Sequence, residues 1–438
     1  MAIIAQESGV LRPAAEGQSP RSLHWLGVLC GLVAGAWLGA AEAPVKLVTI
    51  GLSPYAISLC MVTGVFVARW TFPTLLKGTE YVFEDLNSKR HLMVWALLAG
   101  ALWAVANTLT VFAIRDVGLA VAFPLWNANS LVGLIWARVF FGELKGASGG
   151  VILRVVVGAV VIALAATLLG FSTIHGDHGG AGHAIRGVAA ALGACLLWGT
   201  MYVPYRKAYL SGMNPLSFVT AFTVGELGTV ALLAVTLGGG FVTIEHELRH
   251  AHQVLFWLFL GGFVWVVGDL FQQYAAKYVG IGRGIPLANT NQLWGLAWAA
   301  LVFGELQGAT GMQKLLVVGG SLGMIGGAVL VGSGAATGRE QTSQNEAVER
   351  ECDRYGLDYL RTLRSLGGVE ENGRAGNGRR WWDYLIMTAA VLFFVSFAAT
   401  AAVPTMHLSV PWVSILSGLM LCVLGIGCYR LWRGTSFS

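Results

Sequence analysis

The sequence predicts an all-α polytopic membrane protein: a ten-helix inverted repeat of five plus five transmembrane helices, followed by a C-terminal transmembrane hairpin. Three observations carry this expectation. The chain is rich in apolar and poor in charged residues, it holds twelve apolar stretches of membrane-spanning length, and its first half recurs in its second.

Of its 438 residues, 55% are hydrophobic and 12% are charged, and the mean hydropathy is +0.66. An ordinary soluble domain carries about 25% charged residues. A hydrocarbon core about 30 Å thick needs about 20 apolar residues per helix. Stretches that meet this lie near 24–45, 52–70, 92–114, 118–140, 150–171, 186–205, 215–237, 254–276, 282–303, 312–334, 383–402 and 410–430.

Residues 100–146 and 262–308 align without gaps at an offset of 162, with about 20 identical pairs among about 47. The pairs include Trp103/Trp265, Gly118/Gly280, Pro124/Pro286, Asn127/Asn289, Asn129/Asn291 and Gly133/Gly295, and end on Phe141-Gly142-Glu143-Leu144 with Phe303-Gly304-Glu305-Leu306. Weaker correspondences reach back to Gly39/Gly199, Pro44/Pro204, Pro54/Pro215 and Gly64/Gly225. Each copy holds five spans, an odd number, so the second copy enters the membrane from the opposite side. Inverted repeats around a midplane site are a recurring plan of secondary transporters. The expected divisions are a cytoplasmic tail 1–23, repeats 24–171 and 186–334, a cytoplasmic polar linker 338–382, and the extra hairpin 383–432. Arg21, an apolar run and Ala41-Glu42-Ala43 imitate a cleavable signal peptide, but this segment has an uncleaved counterpart in the second repeat.

The net charge of +5 is scattered over span ends rather than gathered in a stripe, which argues against nucleic acid. If the N-terminus is cytoplasmic, all but five of the 28 Lys and Arg (Lys46, Arg115, Arg186, Arg249 and Lys314) belong to inner ends. The positive-inside rule then places both termini in the cytoplasm of a multi-pass cell-membrane protein. The six cysteines lie in spans or on the inner side without metal-type spacing, so no disulfide framework is expected. In the linker, Val348, Cys352, Tyr355, Tyr359, Leu363 and Leu366 recur at helical spacing among charges, which suits an amphipathic surface, docking or regulatory helix or, with Gly356 inside it, a solvated tether.

The run Gly100-Ala101-Leu102-Trp103, Val117-Gly118, Pro124 and Phe141-Gly142-Glu143 resembles the glucose/ribose-porter and rhamnose-transporter group of the drug/metabolite transporter superfamily. Its second copy, with Trp265, Tyr278-Val279-Gly280, Ile285-Pro286, Gln292-Leu293, Gly295 and Phe303-Gly304-Glu305, is closer still. The resemblance covers residues 24–334. It implies a ten-helix inverted-repeat fold that carries sugars or related polar metabolites, often with proton coupling; the C-terminal hairpin departs from the pattern.

Candidate site residues follow from polar groups inside spans. Trp265, Asp269, Gln272 and Gln273 lie at i, i+4, i+7 and i+8, on one side of a helix, and Trp103, Asn107 and Thr110 echo them in the first repeat. A Trp face stacks on the C–H side of a sugar while Asp, Asn and Gln take its hydroxyls. The competing reading is polar glue between helices, since an intramembrane carboxylate must face protein or water. Pro124 and Pro286 each free a backbone carbonyl and are expected to kink the fourth and ninth spans, bringing Asn127, Asn289 and Gln292 toward a cavity. Asn129 and Asn291 share a face with Gly133 and Gly295 that reads better as close packing. Asp269 and Glu226 are the proton-coupling candidates. Glu143 and Glu305 read as caps of positive helix ends. No Arg near midplane is recognised, so a carboxylate-selective site is not favoured.

His246-Glu247-Leu248-Arg249-His250 fits the zinc-protease pattern, but it sits in a short outer loop with no cleft around it. A metalloprotease is the remote alternative to transport, and no metal is expected. His175, His178 and His183 read as a glycine-rich loop, and Gly280-Ile281-Gly282-Arg283-Gly284 lacks the strand that a nucleotide fingerprint needs. The expectation is a secondary active transporter, not an enzyme, for a sugar or sugar-like metabolite. Exporters or permeases for amino acids, nucleobases or other metabolites compete with it. Its partners are a small-molecule substrate and membrane lipid, with no cofactor and no nucleic acid; a homo-oligomer stays open.

Overall fold

The computed structural model describes residues 20–435 and 437, except 46, 49–50, 118–121, 123–124, 172–180, 305, 309, 335–337, 368–378 and 403–407. The described residues form helices and connections, with no strand. In chain order the helices are α1 (Pro20–Ala40), α2 (Glu42–Val45), α3 (Pro54–Leu76), α4 (Glu80–Ser88), α5 (Arg90–Val117), α6 (Asn129–Phe141), α7 (Gly149–Phe171), α8 (Ala181–Leu210) and α9 (Pro215–Leu237). They continue as α10 (Phe241–His250), α11 (Leu255–Val279), α12 (Ile281–Ala288), α13 (Asn291–Ala297), a π-helical turn (Trp298–Val302), α14 (Gly311–Gly332), α15 (Gly338–Tyr355), α16 (Tyr359–Leu366), α17 (Trp381–Thr400) and α18 (Val410–Thr435). The chain is an all-α polytopic membrane protein, in which 10 described helices are long and apolar enough to cross a membrane.

The fourth and ninth of the twelve expected spans are not among those ten. The ninth is broken: α12, which contains Pro286, stops at Ala288, and Asn289 and Thr290 separate it from α13 and the π-helical turn. A proline withholds one hydrogen bond and crowds the preceding turn, so the helix ends soon after it. Pro124 lies outside the described residues, as do Glu305, His175 and His178. The second span of each repeat starts in the same way, with Pro at the first helical position behind a capping side chain: Ser53 accepts from Ala56 N and Asn214 from Leu216 N.

The packing is unchanged when the two repeats are exchanged. Helix α1 packs on α11 as α8 packs on α5; α3 packs on α11 as α9 packs on α5; α3 meets α9, and α7 meets α14. Glycines set these approaches. A Cβ on Gly64 would stand 2.0 Å from the Phe259 carbonyl oxygen, and one on Gly225 2.3 Å from that of Leu97. Gly262 and Gly100 return the contact, against the carbonyl oxygens of Met61 at 2.0 Å and Phe222 at 2.1 Å. In a membrane, where lipid is as apolar as leucine, such backbone-to-backbone contact is a main source of helix association.

Around this frame, α17 seats Phe394 against Phe263 with ring centroids 4.6 Å apart, and buried Asp383 at its start accepts from Thr79 N at 3.0 Å. The linker does form helices at the predicted periodicity. Gly356, at φ +62°, ends α15, a left-handed conformation that glycine adopts without penalty. Val348 and Cys352 enter the same central cluster as Trp103, Tyr205 and Phe222, and Tyr359, Leu363 and Leu366 pack against it. The linker helices therefore lie on the bundle rather than stand off as a solvated tether.

Candidate functional site

Helix α11 sets Asp269 and Gln273 one turn apart, facing α3, α8 and α9, and both are wholly buried. Opposite them stands Arg69 of α3, also fully buried. Its Nη2 donates to Asp269 Oδ2 at 2.7 Å and its Nη1 to Glu226 Oε2 of α9 at 2.9 Å. The guanidinium lies over the Phe222 ring, 4.1 Å from its centroid, and 5.5 Å from that of Trp265. Two carboxylates thus share one guanidinium, which leaves one negative charge in excess when all three are ionised.

The polar shell extends outward from this triad. Gln273 Nε2 donates to Asp269 Oδ1 at 2.9 Å, and Tyr209 Oη donates to Gln273 Oε1. Gln272 Nε2 donates to Tyr202 Oη at 3.4 Å, and Asn107 Nδ2 to Ser58 Oγ at 3.5 Å. Trp103 and Trp265 close one side with centroids 5.0 Å apart; Trp103 is buried and Trp265 half-buried.

The predicted residues fall into two networks. Trp103, Trp265, Asp269, Gln272, Gln273 and Glu226 gather around the triad. Asn289 instead donates to the Asn127 carbonyl at 3.3 Å and to Asn129 Oδ1 at 3.2 Å, while Gln292 donates to Asn291 Oδ1 at 3.0 Å. Asn127, Asn129, Asn289 and Gln292 are all buried. This second network joins the fourth and ninth spans at corresponding points.

Arg69 is the candidate site residue that the sequence does not single out, because by position it groups with the inner-end charges. Helix α3 runs seven residues past it to Leu76, about 10 Å at 1.5 Å per residue. That places the guanidinium inside the span and corrects the expectation of no internal Arg. The repeat itself carried the signal. Arg69, Glu226 and Asp269 correspond to Val230, Val65 and Asn107, so they are complementary intramembrane charges that the two copies do not share.

Glu143 caps a helix, although not the one that follows it. It accepts from Ile281 N at 3.2 Å and Gly282 N at 3.0 Å, at the start of α12 in the other repeat, and pairs with Arg206 at 2.8 Å. Gly280 makes room: its φ is +82°, and a Cβ there would stand 2.5 Å from the Glu143 carboxylate. His246 and His250 stack on α10 at 5.2 Å, but Glu247 accepts from Ser53 Oγ at 2.6 Å and so holds the start of α3. Among the described residues no group of three His, Cys, Asp or Glu could hold a metal.

No family model matches the chain. It is 24% identical over 212 residues to "Glucose uptake protein GlcU" of Staphylococcus xylosus, covering 47% of this chain and 65% of that protein, just under two thirds of its length. It is 22% identical over 237 residues to "Probable glucose uptake protein GlcU" of Staphylococcus epidermidis, covering 53% of this chain and 74% of that protein. A further similarity, 21% over 137 residues, is to "Transmembrane protein 144 homolog B" of Dictyostelium discoideum, covering 30% of this chain and 37% of that protein. The chain is thus distantly similar to two proteins named for glucose uptake and to one named as a transmembrane protein.

Proposed function

We propose that this chain is a secondary active transporter that takes up a sugar or sugar-like solute by alternating access, coupled to protons. The observation that carries the reading is the Trp103–Trp265 pair beside a buried Arg69–Glu226–Asp269 triad, where stacking surface and hydrogen-bonding groups adjoin. The names of the distant relatives support the substrate class. The excess carboxylate offers a place for one proton: protonating Asp269 or Glu226 neutralises the site and weakens one ion pair. In this reading the protein lies in the cell membrane with both termini in the cytoplasm and α10 outside. Residues 24–334 form the transport core, and the linker and hairpin are appended to it.

The test is uptake of labelled glucose into proteoliposomes with and without an inward proton gradient. Accumulation that a protonophore collapses supports the reading; absence of flux for glucose and a panel of pentoses and deoxysugars sinks it. One observation favours a second reading. Arg69 is a guanidinium inside a span, so a solute carboxylate could replace Asp269 or Glu226 on it, as an amino acid or organic acid would. Uptake of amino acids but not of sugars in the same assay would select this alternative.

A further inference from the structure

At the end of the bundle where α15 and α16 dock, a cavity of about 180 Å³ lies between the linker and the spans. That is more than ten times the roughly 10–15 Å³ needed to hold one water. Its walls carry three cations, Arg206, Lys277 and Arg283, and two carboxylates, Glu143 and Glu340. Each carboxylate is taken by one arginine. Arg206 lies 2.8 Å from Glu143, which the α12 backbone amides also hold, and Arg283 grips Glu340 of α15 through two bonds of 2.6 and 3.0 Å.

Lys277 is left over. It is only 1% exposed, and its ammonium hydrogen-bonds to no protein group among the described residues. The charges whose field reaches it are Lys89, Asp85 and Lys77, and Asp85 is already bound by Lys89 and by the Asn214 amide at 3.0 Å. The nearest described partner of the Lys277 ammonium is the Tyr278 ring, with the centroid 5.7 Å from Nζ, and since a buried ammonium without an acceptor is costly, an anion in the cavity would supply the counter-charge that keeps Lys277 ionised. Linker residues Gln344 and Asn345 complete the wall with amide groups suited to anionic oxygens.

We infer that this cavity is a binding site for a phosphate-type oxyanion, held by Lys277 and by the linker helix, and separate from the solute site around Arg69. An anion here would bridge α11 and α15 and so fasten the linker to the core. The inference rests on the cavity and its charge balance, and it holds whatever solute the protein carries. The phosphate could belong to a soluble metabolite or to an anionic lipid headgroup.

The test uses the full-length protein purified in a neutral detergent. Inorganic phosphate, titrated at constant ionic strength against chloride, should raise the melting temperature saturably and slow maleimide labelling of Asn345→Cys, relative to the parent cysteine background, by several-fold. In Lys277→Met the apparent affinity should fall at least tenfold, while Lys277→Arg should retain it. Nanodiscs of phosphatidylglycerol against phosphatidylcholine form the second arm. Lys277-dependent protection of position 345 by phosphatidylglycerol alone assigns the phosphate to lipid, and protection by inorganic phosphate assigns it to a soluble ligand. If neither protects position 345, or if Lys277→Met responds as the parent does, the cavity is not an anion site. Should Lys277→Met fail to fold, the same labelling comparison is made in Lys277→Gln.

Discussion

Replacing Arg69 by Met removes one guanidinium from between two carboxylates while keeping much of its volume. Two charge-assisted bonds, of 2.7 and 2.9 Å, disappear from a site with no solvent exposure at any of the three side chains. At about 1.5–3 kcal/mol for each hydrogen bond to a charged group, the loss is about 3–6 kcal/mol. The general cost of orphaning one member of a buried ion pair, about 3–5 kcal/mol, gives the same scale. The expected order of melting temperature is therefore parent, then Asp269→Asn, then Arg69→Met. The triple variant Arg69→Met, Glu226→Gln, Asp269→Asn should recover most of the loss, because no uncompensated charge remains. Intrinsic tryptophan fluorescence during heating, with size-exclusion profiles as a check of folding, reads this order. An Arg69→Met protein that melts with the parent would show that the three charges do not form one buried network.

Asp269→Asn places an amide between two donors, Gln273 Nε2 and Arg69 Nη2, so one donor loses its acceptor at a cost of about 1–3 kcal/mol; in the proteoliposome assay it should abolish proton-driven accumulation and largely spare exchange. Trp265→Ala should weaken solute binding about tenfold through lost stacking, and calorimetry showing unchanged affinity would remove the pair from the site. Gly64→Val and Gly225→Val should each destabilise the protein by about 1–3 kcal/mol or more, since each side chain would collide with a facing carbonyl; if one is tolerated and the other is not, the two contacts are not equivalent. A cysteine at position 246 should react with an impermeant reagent on intact cells and one at position 345 should not; the reverse pattern would invert the proposed topology.

The class of fold was legible because membrane constraints write directly into composition and length, and the repeat was legible because close packing keeps Gly, Pro and Asn at matching positions. The broken ninth span was anticipated at Pro286, but not the π-helical turn at Trp298–Val302, for which no local residue signal exists. The stripe Trp265, Asp269, Gln272, Gln273 was readable from helical spacing alone. Its partner Arg69 was not, since a span-end count cannot distinguish a charge that reaches water from one enclosed by two acids on other helices. The choice between a docked helix and a tether in the linker was not legible for a related reason. Val348 and Cys352 face apolar groups from several spans at once, and nothing in the linker's own sequence reveals those distant partners.

The glycine contacts carry a consequence for motion. Gly64 and Gly262 seat α3 closely on α11, and Gly100 and Gly225 seat α5 closely on α9, so each close-packed pair takes one helix from each repeat. If the protein works by the alternating access proposed above, the unit that was duplicated is not the unit that moves. In that reading one lever would be α1, α3 and α11, the other α5, α8 and α9, and the split between them would pass through the triad. Arg69 and Asp269 ride on the same lever, while Glu226 rides on the other. In the proposed alternating-access cycle the two carboxylates, alike in burial, would differ in mechanical role: Asp269 would stay with its guanidinium, and the bond to Glu226 would part and re-form each time the levers swing.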